Sequence, residues 1–186
     1  LSALFKGLFD ILFRKNKSED SRIFLLVLIA TAPIVLMTIV FVLFDLIYHL
    51  RSIYVIAIAS IVFSIPLLLA DKICKKKRFI TEFSFSDAIY IGFWQSFAII
   101  PGASRSGCCI TGALIKGFRN FDAAHISLIM SIPTILGSSV LLILELFTSS
   151  NTDFFAQNLI DVIYSVIFSY FAAFVSIKIF FRFIKK

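Results

Sequence analysis

Ser104, Arg105 and Ser106 are the residues of this chain best suited to chemistry, bracketed by Gly102 and Gly107 and preceded by Pro101. Two hydroxyls and a guanidinium within three positions offer many donors and no negative charge, so the chemistry is that of an anion. Pro101 stops an incoming helix or turns it sharply. The two glycines permit backbone angles and close approaches that other residues resist. Ser104 or Ser106 can cap an outgoing helix, which the apolar run predicts to begin near Gly107. Such a helix aims its N-terminal amides and the positive end of its dipole at the loop. Arg105 adds a planar fork that matches phosphate oxygens. Phosphate is the anion these groups suit best. On these residues alone a blander reading stays open, in which the serines only cap the helix and Arg105 holds backbone carbonyls or a lipid headgroup.

The elements around this loop belong to a membrane. The chain has 186 residues, 60% of them hydrophobic, and a mean hydropathy of +1.00, whereas a soluble domain is nearer 45–50% apolar. Ile23 to Phe44 carries no charge and is long enough to span a bilayer. Ile53 to Ala70 and Ile126 to Leu144 are similar, and Val162 to Ile177 is extended by the apolar residues on either side, with Lys178 able to snorkel. Pro33 and Pro66 fall inside spans, where neighbouring groups re-satisfy the freed carbonyls. An arginine at mid-bilayer costs roughly 2.5–3.5 kcal/mol on insertion scales. Non-helical backbone at that depth persists only where protein buries it or it lines a watery cavity. The loop therefore reads as a site.

The net charge of +7 does not indicate nucleic acid. The basic residues collect at span ends: Lys6, Arg14, Lys15, Lys17 and Arg22; Lys72, Lys75, Lys76, Lys77 and Arg78; Arg182, Lys185 and Lys186. The connections 45–52 and 147–157 hold only Arg51 between them and face the other side.

The expected organisation is an interfacial helix and basic loop over 1–22, two spans over 23–78, a helix–loop–helix over 79–122 and two spans over 123–186. Ser86 or Asp87 can cap the start of the third part. Its two apolar pieces, Ala88 to Ile100 and Cys108 to Ile115, are short for crossings. Basic residues precede and follow it, so a re-entrant hairpin that dips in and returns on one side fits best.

Other residues with chemical capacity read more plainly. Cys74, Cys108 and Cys109 form neither a metal spacing nor a disulfide framework and read as packing residues. Glu82 and Asp87 read as interfacial or capping residues, His125 and Glu145 as span-end residues, and Trp94 and the many phenylalanines as lipid-facing bulk. Gln95 lies on the incoming helix and can hydrogen-bond the loop. No group in the chain is a clear general base.

The stretch from Gly92 through Gln95 and Ala98 to Pro101-Gly102-Ala103-Ser104-Arg105-Ser106-Gly107 resembles the second signature of the undecaprenyl-diphosphate phosphatase family of the bacitracin-resistance type. Similarity continues through Gly117, Ala123, Ser127, Ile132-Pro133 and Gly137, and upstream to Pro33. Two positions depart: Cys109 stands where the family has threonine, and Asn120 where it tends to have arginine, with Arg119 one place early. One place turns a helical side chain by about 100°.

The resemblance implies an all-α integral membrane protein with about four transmembrane helices and one re-entrant hairpin, part of an inverted-repeat architecture, in the bacterial inner membrane. It implies hydrolysis of a polyisoprenyl diphosphate to the monophosphate and inorganic phosphate, recycling the lipid carrier of cell-wall synthesis. Arg105 and Ser104 would be catalytic. Gly102, Ser104, Arg105, Ser106, Gly107 and Cys109 would bind phosphate, supported by Gln95 and Pro101. Partners would be the lipid diphosphate and membrane lipids, with a homodimer admitted. The family's glutamate motif and Ser/His loop have no counterpart here, since no Glu-x-x-x-Glu occurs and the only histidines are His49 and His125. The expectation is a fragment lacking the first repeat motif and the last helix, inactive alone, with the base and a divalent cation, magnesium or calcium, supplied by the absent part and no metal ligands in this chain. A transporter or lipid flippase with a re-entrant anion-binding loop, or a non-catalytic remnant, remains the alternative.

Overall fold

Long apolar runs become long helices. The structure is a computed structural model and describes residues 19–46, 50–148 and 159–184. In chain order the helices are α1 (Glu19–Leu43), α2 (Ile53–Ile73), α3 (Phe85–Ser96), α4 (Arg105–Ile115), α5 (Asn120–Thr148) and α6 (Leu159–Ile184). Short 3₁₀ turns at Ile80–Glu82 and Phe97–Ile99 flank α3. Among the described residues, four stretches are long and apolar enough to cross a membrane: Ser21–Leu43, Ile53–Ile73, Asn120–Leu144 and Ile160–Ile184. The chain is an all-α integral membrane protein. Of the expected interfacial segment, residues 19–22 form the first turn of α1. The rest of it, His49 and most of the connection 147–157 lie outside the described residues, as does the side chain of Glu145.

Two compact units are present, 1–134 and 135–186. In the second, the apolar window of α6 has no buried residue, so Tyr164, Phe168, Phe171 and Phe174 turn outward, as on a helix facing lipid or another apolar surface. In the first, the interior gathers around the two shortest helices. Ala88 and Ile91 of α3, Cys109 and Ala113 of α4, Ala30 of α1, and Ala123 and Met130 of α5 are fully buried. Small residues let backbones approach in membrane interiors. A Cβ on Gly92 would lie 2.3 Å from the Ala30 carbonyl oxygen, so only glycine allows α3 to lie this close to α1.

Local chemistry sets the ends of these helices. Ser84, rather than Ser86 or Asp87, caps α3: its Oγ accepts from the Asp87 amide at 3.3 Å, while Asp87 Oδ2 accepts from the Ser84 amide at 3.1 Å, a reciprocal capping box. Helix α4 begins two residues earlier than expected, because Ser104 is its cap and Arg105 its first residue. It ends in a Schellman pair, Phe118 N to Ala113 O at 3.1 Å and Gly117 N to Leu114 O at 2.9 Å, with Gly117 at φ +84°.

The two ends of this helix–loop–helix are joined. Arg78 and Phe118 form a parallel bridge. Lys77 N and Arg78 N donate to Gly117 O at 3.0 and 2.9 Å, and Arg119 N donates to Arg78 O at 3.0 Å. The start and the end of the helix–loop–helix therefore lie side by side, near the C-terminal end of α2.

Candidate functional site: an anion cradle at the hairpin tip

Helix α3 ends at Ser96, and the 3₁₀ turn carries the chain to Pro101. Gly102 then takes φ +98° and packs on α2, where a Cβ would meet Ile56 O at 2.3 Å. Its own carbonyl accepts from Ser60 Oγ at 3.2 Å. Only glycine satisfies both the angle and the contact. Ala103 is buried beneath the turn. Ser104 Oγ accepts from Gly107 N at 3.2 Å and lies 3.2 Å from Ser106 Oγ. Both serines are exposed, and with the Gly107 and Cys108 amides taken by Ser104 Oγ and O the two hydroxyls and the remaining first-turn amides of α4 are what the loop offers. A helix start with free amides is a ready anion site.

Arg105 is half-buried and points to α5. Its Nη1 donates to Thr134 Oγ1 and, at 3.4 Å, to Met130 O. Among the described residues, Nε and Nη2 have no hydrogen-bond partner. Ser127 of the same helix donates to Ser106 O at 3.3 Å. Ser127 and Thr134 are seven residues apart, so they fall on one helix face. Thr134 is a residue the sequence reading missed. The available signal was a polar residue recurring at this helical spacing inside an apolar span.

Cys109, expected among the phosphate contacts, is fully buried. It lies on the inward face of α4 with Ala113, four residues on, and its thiol donates to Gln95 Oε1 at 3.3 Å. It presents no surface to an anion at the open face. Gln95 is likewise fully buried and bonds α4 rather than the loop; its Nε2 has no hydrogen-bond partner among the described residues. Trp94 does not simply face lipid: a Cβ on Gly112 would meet its ring at 3.0–3.1 Å. Phe83 and Phe118 are buried and pack edge to face at 6.2 Å, so the phenylalanines too are only partly lipid-facing.

The acids sit at the other end. Asp87 is buried and accepts from Arg78 at 3.1 and 2.6 Å through both oxygens, and from Ser84 Oγ at 2.7 Å. Lys116 Nζ lies 3.3 Å away. Burial alone would raise this carboxyl, but the hydrogen bonds from Arg78 and Ser84 outweigh it and hold the pKa at about 2. Glu82 accepts from Phe79 N at 2.8 Å and closes the 3₁₀ turn. A helix of 12 residues, as α3 is, measures about 18 Å, which keeps both acids from serving as base at the tip. Asn120 Nδ2 donates to Asp71 at 3.1 Å, and Arg119 lies over the Phe79 ring at 4.8 Å; both also belong to this end.

No group of three or more His, Cys, Asp and Glu side chains gathers among the described residues, and the buried carboxylate of Asp87 is already neutralised by two cations. The described residues do not fit a divalent cation.

The chain matches, over residues 1–186, the sequence model of the family described as bacitracin resistance protein BacA. It is similar to the undecaprenyl-diphosphatase of Maricaulis maris, 40% identical over 135 residues that cover 73% of this chain and 50% of that protein. The protein of the same name from Ruegeria pomeroyi is 38% identical over 136 residues, 73% of this chain and 49% of its own length. A third, from another Ruegeria, is 36% identical over 147 residues, 79% and 55% respectively. The chain spans about half the length of the curated relatives it matches.

Proposed function

Since this chain belongs to the bacitracin resistance protein BacA family, we infer that it supplies the phosphate-binding part of an undecaprenyl-diphosphate phosphatase. The observation that carries this reading is the tip: a capped helix start, two exposed hydroxyls and a guanidinium on one loop. The substrate is a polyisoprenyl diphosphate whose tail lies among the apolar helices. Hydrolysis breaks the bond between the bridging oxygen and the terminal phosphorus, and water adds there, leaving the lipid monophosphate and inorganic phosphate. Such transfer is driven mainly by positioning and by stabilising charge on the phosphoryl oxygens. Arg105 supplies the positive charge, and Ser104, Ser106 and the α4 amides supply hydrogen bonds. None of Ser104, Arg105 and Ser106 is a base for the water, which a further group must activate.

The joined ends support a hairpin that enters and leaves the membrane on one side. Gly102 touches Ile56 and Ser60, 13 to 17 residues from the α2 end at Ile73, about 20–25 Å along the axis. The basic cluster at that end marks the cytoplasmic side, so the cradle opens nearer the outer face of the bacterial inner membrane. Cysteines at positions 82 and 119 are both labelled from the cytoplasmic side; labelling from opposite sides sinks the re-entrant arrangement.

The functional test is phosphate release from a radiolabelled polyisoprenyl diphosphate by the natural gene product in detergent, where a flippase releases none. Arg105→Ala lowers turnover by roughly 10²–10³-fold, the scale of a lost transition-state donor. Arg105→Lys recovers part, because it keeps the charge and loses the fork. A folded Arg105→Ala protein with near-normal turnover refutes the assignment.

A further inference from the structure

We propose that Thr134 is a positioning residue that holds the Arg105 guanidinium in register for a diphosphate, an inference that rests on the function proposed above. Arg105 is the first residue of α4 and its backbone is fixed by the helix, but its side chain has four rotatable bonds. A free arginine at this depth samples many positions. Here one nitrogen, Nη1, is taken by α5, through Thr134 Oγ1 and Met130 O. That leaves the edge formed by Nε and Nη2, the geometry that grips two oxygens of one phosphoryl group.

The hydroxyl is suited to this role. Thr134 Oγ1 lies 3.1 Å from Met130 O and 3.0 Å from Ser131 O. Its single proton is donated back onto its own helix, to one of these carbonyls. The oxygen therefore faces Arg105 as an acceptor, which a cationic donor requires. The second contact of α5, Ser127 Oγ to Ser106 O at 3.3 Å and two turns away along α5, fixes the backbone of the first turn of α4. With the backbone held at one point and the guanidinium at the other, α5 sets both the position and the direction of the charge.

The test compares Thr134→Val, which keeps the shape and removes the acceptor, with Thr134→Ser, which restores the hydroxyl, in the natural gene product in detergent. Two readouts are taken. The first is the rate at which phenylglyoxal modifies Arg105 without ligand, resolved by peptide mass spectrometry, with Arg119 at the hairpin base as internal control. Valine raises the rate at Arg105 several-fold, serine stays near the parent, and Arg119 is unchanged in both. The second is turnover of a polyisoprenyl diphosphate. Valine lowers kcat by about tenfold, the scale of one lost hydrogen bond to a charged group, with a smaller change in KM, and serine recovers most of it. An Arg105 modification rate in folded Thr134→Val equal to the parent overturns the proposal, as does a valine loss that serine does not relieve. If the modification rates behave as stated but the parent neither hydrolyses the lipid nor has Arg105 protected by inorganic pyrophosphate, the anchoring stands and the phosphatase reading fails.

Discussion

The two ends of the helix–loop–helix are made of the same kinds of residue and used in opposite ways. At the base, Arg78 meets Asp87 through both oxygens, Lys116 stands beside them, and Ser84 caps and is capped. Asp87 accepts from several donors at once and is buried. At the tip, Arg105 faces no carboxylate among the described residues, and Ser104 and Ser106 are exposed. A cation satisfied by an internal anion stabilises a fold and has little left for a ligand. A cation whose contacts are a hydroxyl and a carbonyl keeps its charge for an anion from outside. On the function proposed above, the arginine that meets the substrate is the one for which the chain supplies no counter-charge.

The largest effect that would separate the ends is at Asp87. Asp87→Asn leaves Arg78 and Lys116 without their anion, and because both cations are partly exposed the loss falls at or below the low end of a broken buried pair, about 2–3 kcal/mol. The variant melts at a much lower temperature in detergent, while the fraction that remains folded turns over like the parent. Loss of turnover in folded protein would erase the distinction between base and tip. Acid gives the same contrast without mutation. The folded carboxyl titrates at about 2 against about 3.9 in an unfolded chain. A depressed pKa stabilises fully above the unfolded value, and the contribution is lost as pH falls toward the folded one. About 2 kcal/mol therefore disappears between pH 4 and pH 2, and thermal melts across that range show the step in the parent and not in Asp87→Asn. The smallest effect lies between the two ends. Cys109→Thr puts a stronger donor against Gln95 Oε1 and is worth under about 1 kcal/mol. Melting temperature rises slightly and turnover stays within a factor of about two. A large change in turnover would mean that the interior of α4 contacts substrate after all.

Much of this arrangement was legible in the residues. Charge-free runs of spanning length marked α1, α2 and α5, and a shorter one extended past Asp161 and Lys178 marked α6, since the bilayer fixes how much apolar chain is needed. Pro101, Gly102 and Ser104 marked the turn, because the φ of +98° and the cap have few substitutes. The membrane spans and the turn at Gly102 thus follow from local chemistry. What did not follow was pairing across the chain. Arg78 looked like one of five basic residues in a charged run, and only packing brings it against Asp87 and the Gly117 carbonyl. Thr134 looked like a polar residue in an apolar span, 29 positions from the arginine it touches. Cys109 was placed by its neighbours in sequence, but the face of a helix that turns inward depends on what packs against it, here Gln95.

The Gly92–Ala30 contact also bears on how the protein is made. The hairpin pieces are too short and too polar at their ends to be released into lipid as independent spans. They need a prepared surface, and that surface belongs to earlier parts of the chain: Ala30 of α1 receives Gly92, and Ile56 and Ser60 of α2 receive Gly102. Synthesis runs from the N-terminus, so α1 and α2 leave the ribosome before α3. The order of the helices along the chain is thus also the order in which they emerge, with the seat made before the hairpin that rests on it.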